Sequence, residues 1–224
     1  MPIKNRIHIV QKTLVLVAGL LVTISVFGYF LGNNRSFRYT NVSSNFTENR
    51  VIISTEVMSR LKEKAFMAKD FVDENGFDVN YCFLVDMRLP SGKNRFFVYN
   101  LFKDSIEAAG LVTHGKGSEN ESGDLIFSNT PNSYCTSLGK YKIGKSYNGN
   151  FGLSYKLVGL DKSNSKAFGR SVVLHSYCGV PNVEVYPSPI TLSEGCPAVS
   201  TTFFTQLKTY IDQSQESILL WIYY

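Results

Sequence analysis

Two residues in the C-terminal part of the chain combine the side chains that thiol chemistry requires. Cys196 lies in the stretch ITLSEGCPAVS, between a glycine and a proline, and His175 lies in the apolar stretch RSVVLHSY. An unaided thiol with a pKa near 8.5 is only about 3% thiolate at pH 7 and is a slow nucleophile. A neighbouring imidazole would take the proton. The pair is therefore a candidate nucleophile and general base.

The spacing of this pair requires the chain to fold back on itself. The two residues are 21 positions apart, which is up to roughly 70 Å in an extended chain. The segment between them contains three prolines and two glycines, which favours a folded loop. Gly195 permits unusual backbone angles, so the Gly195 and Cys196 amides could converge on an oxyanion, with Ser193 orienting the loop or the substrate.

The chain has two other histidines. His8 lies in the N-terminal leader, far from this chemistry in sequence. His114 ends the apolar stretch GLVTH, where a strand could deliver it to the mouth of a site. A structural histidine with satisfied hydrogen bonds is the alternative at both His114 and His175.

The N-terminus predicts export. Residues 1–12 form a basic leader without an acidic residue, and residues 13–32 carry no charge. Twenty helical residues at about 1.5 Å each span roughly the 30 Å of a bilayer core, and the preceding positive charge keeps the N-terminus inside. The span is either an uncleaved transmembrane anchor or a cleaved signal peptide. Residues 33–50 are polar and predict a tether, and residues 51–224 predict the exported domain.

The charge distribution argues against nucleic-acid binding. The formal net charge is +5, and the leader supplies three of these charges. The remaining excess is too small, and too scattered along the chain, for a basic nucleic-acid face.

The four cysteines leave a non-catalytic interpretation open. An even number of cysteines in an exported chain fits a disulfide-stapled domain, with three possible pairings among Cys82, Cys135, Cys178 and Cys196. No C-x-x-C motif occurs and the possible ligands are scattered, so we expect no metal site and no cofactor.

The remaining pattern predicts a mainly β fold, a sandwich or barrel with an N-terminal helix. Apolar residues recur at helical spacing over residues 55–73, and a second helix is expected over 201–211. A hairpin is predicted around Pro90-Ser91-Gly92-Lys93. Further strands are predicted in GLVTH, DLIFSN, LSYKLVGL, RSVVLHSY and the C-terminal SILLWIYY.

Six segments in order carry a family resemblance. They are VDMRLPSGKNRFFVYNL, THGKGS, FSNTPNS, TSLGKYKIGKSYNGNFGLSYKLVGLD, GRSVVLHS and SEGCPA. Together, residues 82–200 resemble the catalytic domain of murein L,D-transpeptidases, in particular the branch with a GCPA active-site loop.

The resemblance implies a thiol acyltransferase acting on peptidoglycan stem peptides, facing the periplasm or another extracytoplasmic space. In that family the cysteine attacks the carbonyl of a diamino acid residue and expels the terminal D-alanine. An amine then gives a cross-link, or water gives L,D-carboxypeptidase activity. Carried over by position, Cys196 is the nucleophile and His175 is the base, oriented by a backbone carbonyl near Ser176. Further matching positions, with possible roles in substrate binding, are His114, Ser137 and Arg170.

The chain departs from the family pattern around the cysteine. Many members have a histidine before the Gly-Cys pair and a basic or amide residue two positions after the cysteine, where this chain has Glu194 and Ala198. Relatives of the GCPA branch commonly have Gly-Arg where this chain has Thr191-Leu192. If that arginine binds a stem carboxylate, substrate affinity or substrate choice is expected to differ in this chain. Hydrolysis instead of cross-linking, and a degenerate enzyme, both stay open.

Two alternatives remain beside this interpretation. Sortases share an exported anchor, a β-barrel and the His-then-Cys order, but they need an arginine after the cysteine, and Lys208 is the only basic residue there. A non-catalytic, disulfide-stapled cell-wall-binding domain is the alternative from a different class.

Overall fold

The computed structural model describes residues 53–120 and 123–224, which form a mainly β fold with two α-helices. The helices are α1 (Thr55–Asn75) and α2 (Thr201–Gln213), and a short 3₁₀ turn covers Lys116–Ser118. The strands are β1 (Tyr81–Asp86), β2 (Phe96–Asn100), β3 (Ser105–Gly110), β4 (Gly139–Gly149), β5 (Gly152–Gly159), β6 (Val173–Ser176), β7 (Ala198–Val199) and β8 (Leu219–Tyr223).

Helix α1 has the signals that begin and end a helix. The Ser54 side chain accepts a hydrogen bond from the Val57 amide at 3.4 Å, and Gly76 follows the last turn in a left-handed conformation. Its apolar face packs on the sheet through Val57, Leu61, Ala65, Ala68 and Val72. The helix predicted over 55–73 is present, as is the second one, α2.

The eight strands form one mixed sheet in the order β3-β2-β1-β8-β4-β5-β6-β7. Alternate residues of each strand face opposite sides. In β1, Cys82 and Leu84 face the cluster that contains α1, whereas Phe83 and Val85 face the cluster that contains α2. The C-terminal strand β8 lies parallel to β1 in the middle of the sheet, as its apolar sequence predicted.

The sheet curls until its two edges meet. Val112, two residues after edge strand β3, forms a bridge with Val199 of the opposite edge strand β7. The Thr113 amide donates to the Ala198 carbonyl at 2.9 Å. The mainly β prediction is correct, and its barrel form describes this curled sheet better than a sandwich of two stacked sheets.

Two predicted strands are wrong. Of residues 110–114 (GLVTH), only Gly110 lies in a strand, as the last residue of β3. Beyond it, Val112 makes an isolated bridge, as does Leu125 of residues 124–129 (DLIFSN). Their backbone groups bond to other segments: the Thr113 amide donates to the Ala198 carbonyl of β7, and the Ser128 amide donates to the Thr136 carbonyl at 3.1 Å. The hairpin formed by β1 and β2 is present as predicted.

The N-terminal predictions fall outside the described residues. The leader, the apolar span at 13–32 and the tether at 33–50 therefore stay predictions. Within residues 53–120 and 123–224, no helix combines the length and apolarity that crossing a bilayer requires.

Candidate active site

Cys196 and His175 line the same open pocket, which has a volume of about 850 Å³. The pocket is bordered by the loop before β7, the end of β6 and residues that precede β4. Its lining residues include Lys116, Tyr134, Phe151, Arg170, Ser171, Tyr177, Leu192, Ser193 and Glu194. The two residues paired from sequence are therefore brought to one site.

The pairing of β6 with its neighbours brings the two residues together. His175 lies opposite Ser154 of β5 on one side and opposite Ala198 of β7 on the other. Strands β6 and β7 run parallel, with Ala198 opposite His175. Cys196, two residues before Ala198, therefore lies beside the part of β6 that precedes His175. The thiol sulfur accepts a hydrogen bond from the Val173 amide of β6 at 3.4 Å.

Thr113 fixes the backbone around Cys196. Its hydroxyl donates to the Cys196 carbonyl at 3.1 Å and accepts from the Ala198 amide at 3.1 Å. The intervening Pro197 has no amide proton to offer. Thr113 is only 1% exposed, so these two hydrogen bonds, one on each side of Pro197, are shielded from solvent.

Glycine is required where the loops cross behind the cysteine. Gly195 has a φ of +108°, and a Cβ there would lie 2.7 Å from the Cys135 carbonyl oxygen. A Cβ on Gly115 would lie 2.0 Å from the Tyr134 carbonyl oxygen and 2.9 Å from the Gly195 Cα. The loops therefore pack backbone against backbone beneath the pocket.

The Cys196 thiol faces backbone groups rather than the imidazole. Its other contact is the Ser171 carbonyl oxygen at 3.8 Å, and the thiol makes no hydrogen bond to His175. Burial raises the pKa of Cys196; the Val173 amide and Arg170 oppose that rise, and Glu194 adds to it. The net pKa is above the ordinary thiol value, so at neutral pH the resting side chain is a protonated thiol.

The His175 ring is oriented by a main-chain carbonyl. Nδ1 lies 3.0 Å from the Ser176 carbonyl oxygen, so Nδ1 carries the proton and Nε2 is left as the basic nitrogen. Burial lowers the pKa of His175, and the bond to Ser176 offsets part of that shift. The neutral imidazole is therefore the resting form at neutral pH. Phe151 stacks on this ring with centroids 4.2 Å apart.

Left-handed backbone conformations cluster around the pocket. Asn132, Tyr134 and Ser171 have φ values of +62°, +55° and +57°, and all three line the pocket. Such conformations are unfavourable for side chains larger than glycine and persist where surrounding contacts enforce them. The loops that line the pocket are thus held in place by the structure around them.

Of the two amides proposed for an oxyanion hole, one is already bonded. The Gly195 amide donates to the Ser193 hydroxyl at 3.1 Å, and that hydroxyl donates to the His114 carbonyl at 3.2 Å. The Cys196 amide makes no hydrogen bond with the described residues. Cys196 is therefore the main-chain donor open to an oxyanion, and Ser193 holds the loop behind it.

Arg170 and Ser137 lie behind the pocket wall and support it. The Arg170 guanidinium donates to the Cys135 carbonyl at 2.6 Å and to the Ser128 carbonyl at 2.9 Å, with the Ser137 hydroxyl at 3.3 Å. Ser137 is buried and also bonds to the Tyr141 hydroxyl at 2.7 Å. Arg170 reaches the pocket surface, whereas Ser137 does not line it.

His114 is separated from the Cys196 pocket. Its Nδ1 lies 2.9 Å from the buried Arg95 guanidinium, and its Nε2 lies 3.3 Å from the Glu119 carboxylate. Burial and the charge of Arg95 lower the pKa of His114, and Glu119 opposes them. The ring lines a different cavity, of about 560 Å³. What His114 gives the site is its carbonyl, which accepts the Ser193 amide at 2.9 Å.

Sequence reasoning missed Thr113, Phe151 and the loop residues Lys116 and Tyr134. Thr113 and Lys116 flank His114 and Gly115 in the THGKGS segment. That segment was part of the family resemblance, but the resemblance gave no role to Thr113 or Lys116. Phe151 lies at the tip of the β4–β5 hairpin, between Asn150 and Gly152, where no local pattern reveals that it reaches across to His175.

All four cysteines are free thiols in the structure. Cys82 lies in the core against α1, and Cys135 is buried with its thiol 2.9 Å from the Gly117 carbonyl oxygen. Cys178 is exposed. Among the described residues, no group of three or more histidine, cysteine or acidic side chains is arranged to hold a metal ion.

The family assignment comes from comparison with known proteins. Residues 54–223 match the model of the L,D-transpeptidase catalytic domain. The chain therefore belongs to the L,D-transpeptidase catalytic-domain family. The match includes both Cys196 and His175. The narrower assignment to the GCPA-loop branch stays a prediction.

Solved structures give distant similarities. The K307A mutant of the helical cell shape determining protein Pgp2 from Campylobacter jejuni is 14% identical, with a TM-score of 0.43 over 70% of this chain and 55% of that one. An L,D-transpeptidase from Xylanimonas cellulosilytica is 12% identical, with a TM-score of 0.36 over 69% of this chain and 68% of that one. This chain thus spans about half the length of Pgp2. No curated protein sequence gives a significant match.

Proposed function

We propose that this chain is a peptidoglycan-modifying enzyme that works through a Cys196 thioester, with His175 as general base. The substrate is a stem peptide whose diamino acid residue is followed by D-alanine. The products are a cross-link if an amine resolves the thioester, and a shortened stem if water does. Family membership supports the substrate class, and the pocket geometry supports the residues.

One observation carries the assignment of roles. His175 and Cys196 line one pocket, and the Ser176 carbonyl holds Nδ1 so that Nε2 is the basic nitrogen. A neutral imidazole and a protonated thiol are the resting forms, so the proton leaves the thiol during attack. The thiol makes no hydrogen bond to His175 in the structure, so the proposed step requires the sulfur to leave the Val173 amide and approach Nε2 before attack.

The acylation step follows from these positions. The Cys196 sulfur attacks the carbonyl carbon of the diamino acid residue while its proton passes to His175 Nε2. The carbonyl oxygen becomes an oxyanion, which the Cys196 amide is placed to bind. The C–N bond to D-alanine then breaks, and His175 returns the proton to the departing amine, which leaves a thioester and neutral imidazole.

In deacylation His175 again accepts a proton from the attacking group, and the cysteine sulfur is now the leaving group. An acceptor amine or a water molecule attacks the thioester carbon, and His175 removes its proton. The second tetrahedral intermediate collapses with protonation of the sulfur, which restores the thiol. Either acceptor resolves the same thioester, so both outcomes are part of the proposal.

The proposed site of action is outside the cytoplasm. The basic leader and the uncharged span at residues 13–32 are the basis for placing the domain on the outer face of the inner membrane, either anchored or released by cleavage. Stem peptides are found in that compartment, so the location and the proposed substrate agree.

A carbapenem tests the proposed nucleophile, because its strained amide acylates an active-site thiol. The full-length protein should gain one carbapenem mass, located on Cys196 by peptide mapping. Cys196→Ala should gain none, and Cys178→Ser is the matched control that keeps the adduct. An adduct on another residue, or active protein with Cys196 in a disulfide, would contradict the proposal and favour the disulfide-stapled wall-binding alternative.

A further inference from the structure

The charges of the domain balance overall but are separated along the chain. Residues 51–224 contain seventeen basic and seventeen acidic side chains. The stretch 139–170, which spans β4, β5 and the loop that follows them, has seven basic residues and one acidic residue. The rest of the domain therefore has an excess of six negative charges, and this one stretch carries the compensating positive charge.

Most of these basic residues have no acidic partner. Lys140 pairs with Asp161, the one acidic residue of the stretch, at 3.0 Å. Arg170 donates to main-chain carbonyls behind the Cys196 pocket. The other five are exposed and form no ion pair with any of residues 53–120 or 123–224: Lys142, Lys145, Lys156, Lys162 and Lys166.

The pairing of β4 with β5 places two of these lysines on one face of the sheet. Val158 lies opposite Lys142, and Lys156 is two residues before Val158 in β5. Since alternate residues of a strand share a face, Lys142, Lys156 and Val158 point the same way. Leu157 points the other way, into the core with Tyr155. The two lysines therefore lie on the outer side of the curled sheet.

Exposed aromatic rings accompany the lysines on this side. Lys156 Nζ lies 5.4 Å from the ring centroids of both Tyr147 and Phe168, which are 38% and 58% exposed. Lys145 lies in a β-bulge opposite Lys156. The apolar cluster under helix α1 contains residues of β1, β2 and β8 but, among the described residues, none of β4 or β5. We call this uncovered area the basic face: Lys142, Lys145, Tyr147, Lys156, Val158 and Phe168.

We infer that the basic face docks on the anionic surface of a membrane. Lysines attract anionic lipid headgroups, and exposed aromatic rings beside them suit the boundary between headgroups and acyl chains. A soluble polyanion would use the lysines and leave the rings without a role. The inference goes beyond the proposed function and needs no particular reaction at Cys196.

The N-terminus predicted from sequence would bring the face to such a surface. The uncharged span at 13–32 and the polar tether at 33–50 precede the domain in the sequence. A flexible tether of that length spans roughly 25 Å on average, so an anchored domain stays near the bilayer. Electrostatic attraction reaches about 10 Å at 0.1 M salt, so the face would orient the domain once it comes that close.

The acetylation rate of each lysine measures docking whether or not the N-terminal span inserts. The full-length protein is added from detergent to preformed vesicles of phosphatidylcholine, with or without phosphatidylglycerol as about a third of the lipid. Neither lipid has an amine that can be acetylated. Peptide mapping after acetic anhydride treatment should show Lys142, Lys145 and Lys156 reacting about threefold or more slowly in the anionic vesicles. Salt at about 1 M should remove the difference.

Two double variants separate the charges from the rings. Lys142→Gln/Lys145→Gln should return the acetylation rate of Lys156 to its value in neutral vesicles, because the attraction is weakened. Tyr147→Ser/Phe168→Ser should do the same for Lys142 and Lys145, because the rings no longer enter the headgroup boundary. Protection that persists in both variants would overturn the inference.

Two lysines elsewhere on the surface provide the controls. Lys62 and Lys103 form exposed ion pairs with Asp104 at 3.0 Å and Glu107 at 3.5 Å. In the wild-type protein they should react at the same rate in both kinds of vesicle. The matched variant Lys62→Gln/Lys103→Gln removes two charges as well, and it should leave the basic face protected.

Each outcome decides the inference. Equal rates in neutral and anionic vesicles overturn it, and so does equal protection of the control lysines. Equal protection by soluble polyphosphate in neutral vesicles also overturns it, since no membrane surface is then needed. A carbapenem adduct measured in the same samples reports on the proposed function. An adduct without protection overturns the docking alone, and protection without an adduct overturns the function alone.

Discussion

The Phe151 ring stacks on the His175 imidazole, with centroids 4.2 Å apart and planes inclined by 19°. Phe151 comes from the tip of the β4–β5 hairpin and covers one face of the proposed base. The contact removes water from the ring, and burial is the largest cause of the lowered pKa of His175. We therefore expect Phe151 to be one of the groups whose contact with the ring lowers the pKa of His175.

Phe151→Ala should move the acid limb of the acylation profile to higher pH. A lowered pKa keeps His175 neutral at pH values below the ordinary imidazole range, so wild-type activity persists there. Exposing the ring raises its pKa, and protonation then removes the base at a higher pH. The measurement is the rate of carbapenem acylation against pH. Phe168→Ala, another exposed aromatic, is the control, and an unmoved acid limb in Phe151→Ala would contradict the account.

His175→Ala should slow acylation by roughly a hundredfold or more, the usual contribution of a general base. The thiol would then have to lose its proton to solvent, and its raised pKa makes that rare at neutral pH. Mass spectrometry of the carbapenem adduct over time gives the rate, and added imidazole should restore part of it. A rate within threefold of wild type would exclude His175 as the base.

Glu194→Gln should speed the alkylation of Cys196 by iodoacetamide at neutral pH. The Glu194 carboxylate raises the thiol pKa, so its removal lowers that pKa and increases the thiolate fraction. The plot of alkylation rate against pH should be shifted to lower pH relative to wild type. Peptide mapping separates Cys196 from the exposed Cys178. A profile shifted to higher pH would contradict this electrostatic role, and Lys62→Gln should leave the profile in place.

Thr113→Val should destabilise the protein by about 1–3 kcal/mol, because two buried backbone groups lose their partner. The Cys196 carbonyl loses a donor and the Ala198 amide loses an acceptor, while the volume of the side chain is kept. Urea unfolding measures the change. Thr113→Ser, which retains the hydroxyl, should recover most of the stability. Equal stability of the Val and Ser variants would show that the two hydrogen bonds of the Thr113 hydroxyl do not stabilise the fold.

The elements found from sequence are those whose pattern is decided locally. Helix α1 has a capping serine, an apolar face and a terminal glycine, and β8 is too apolar to lie anywhere but in the sheet. The stretch at 110–114 also contains apolar residues, but only Gly110 belongs to a strand, because the backbone beyond it bonds to Ala198 and to Ser193 in the loop before Cys196. Local pattern reports burial, and it does not report which partner satisfies the backbone.

The site residues show the same difference between what a local pattern predicts and what depends on distant contacts. The chemical identities of Cys196 and His175 made them candidates, and the structure places them in one pocket. Their supports were not predictable, since Thr113 is 83 positions from Cys196 and Phe151 is 24 positions from His175. Contacts of this kind depend on how the sheet curls, which no spacing in the sequence specifies.

The most direct test of the central claim is to trap the acyl-enzyme with a stem substrate. The full-length protein is mixed with a tetrapeptide stem, quenched in acid within the first turnover, and analysed by intact mass and peptide mapping. We expect a thioester-linked tripeptide on Cys196, one D-alanine released per adduct, and neither product from Cys196→Ala. Release of D-alanine by Cys196→Ala at the wild-type rate, or an acyl group found on another residue, would contradict it.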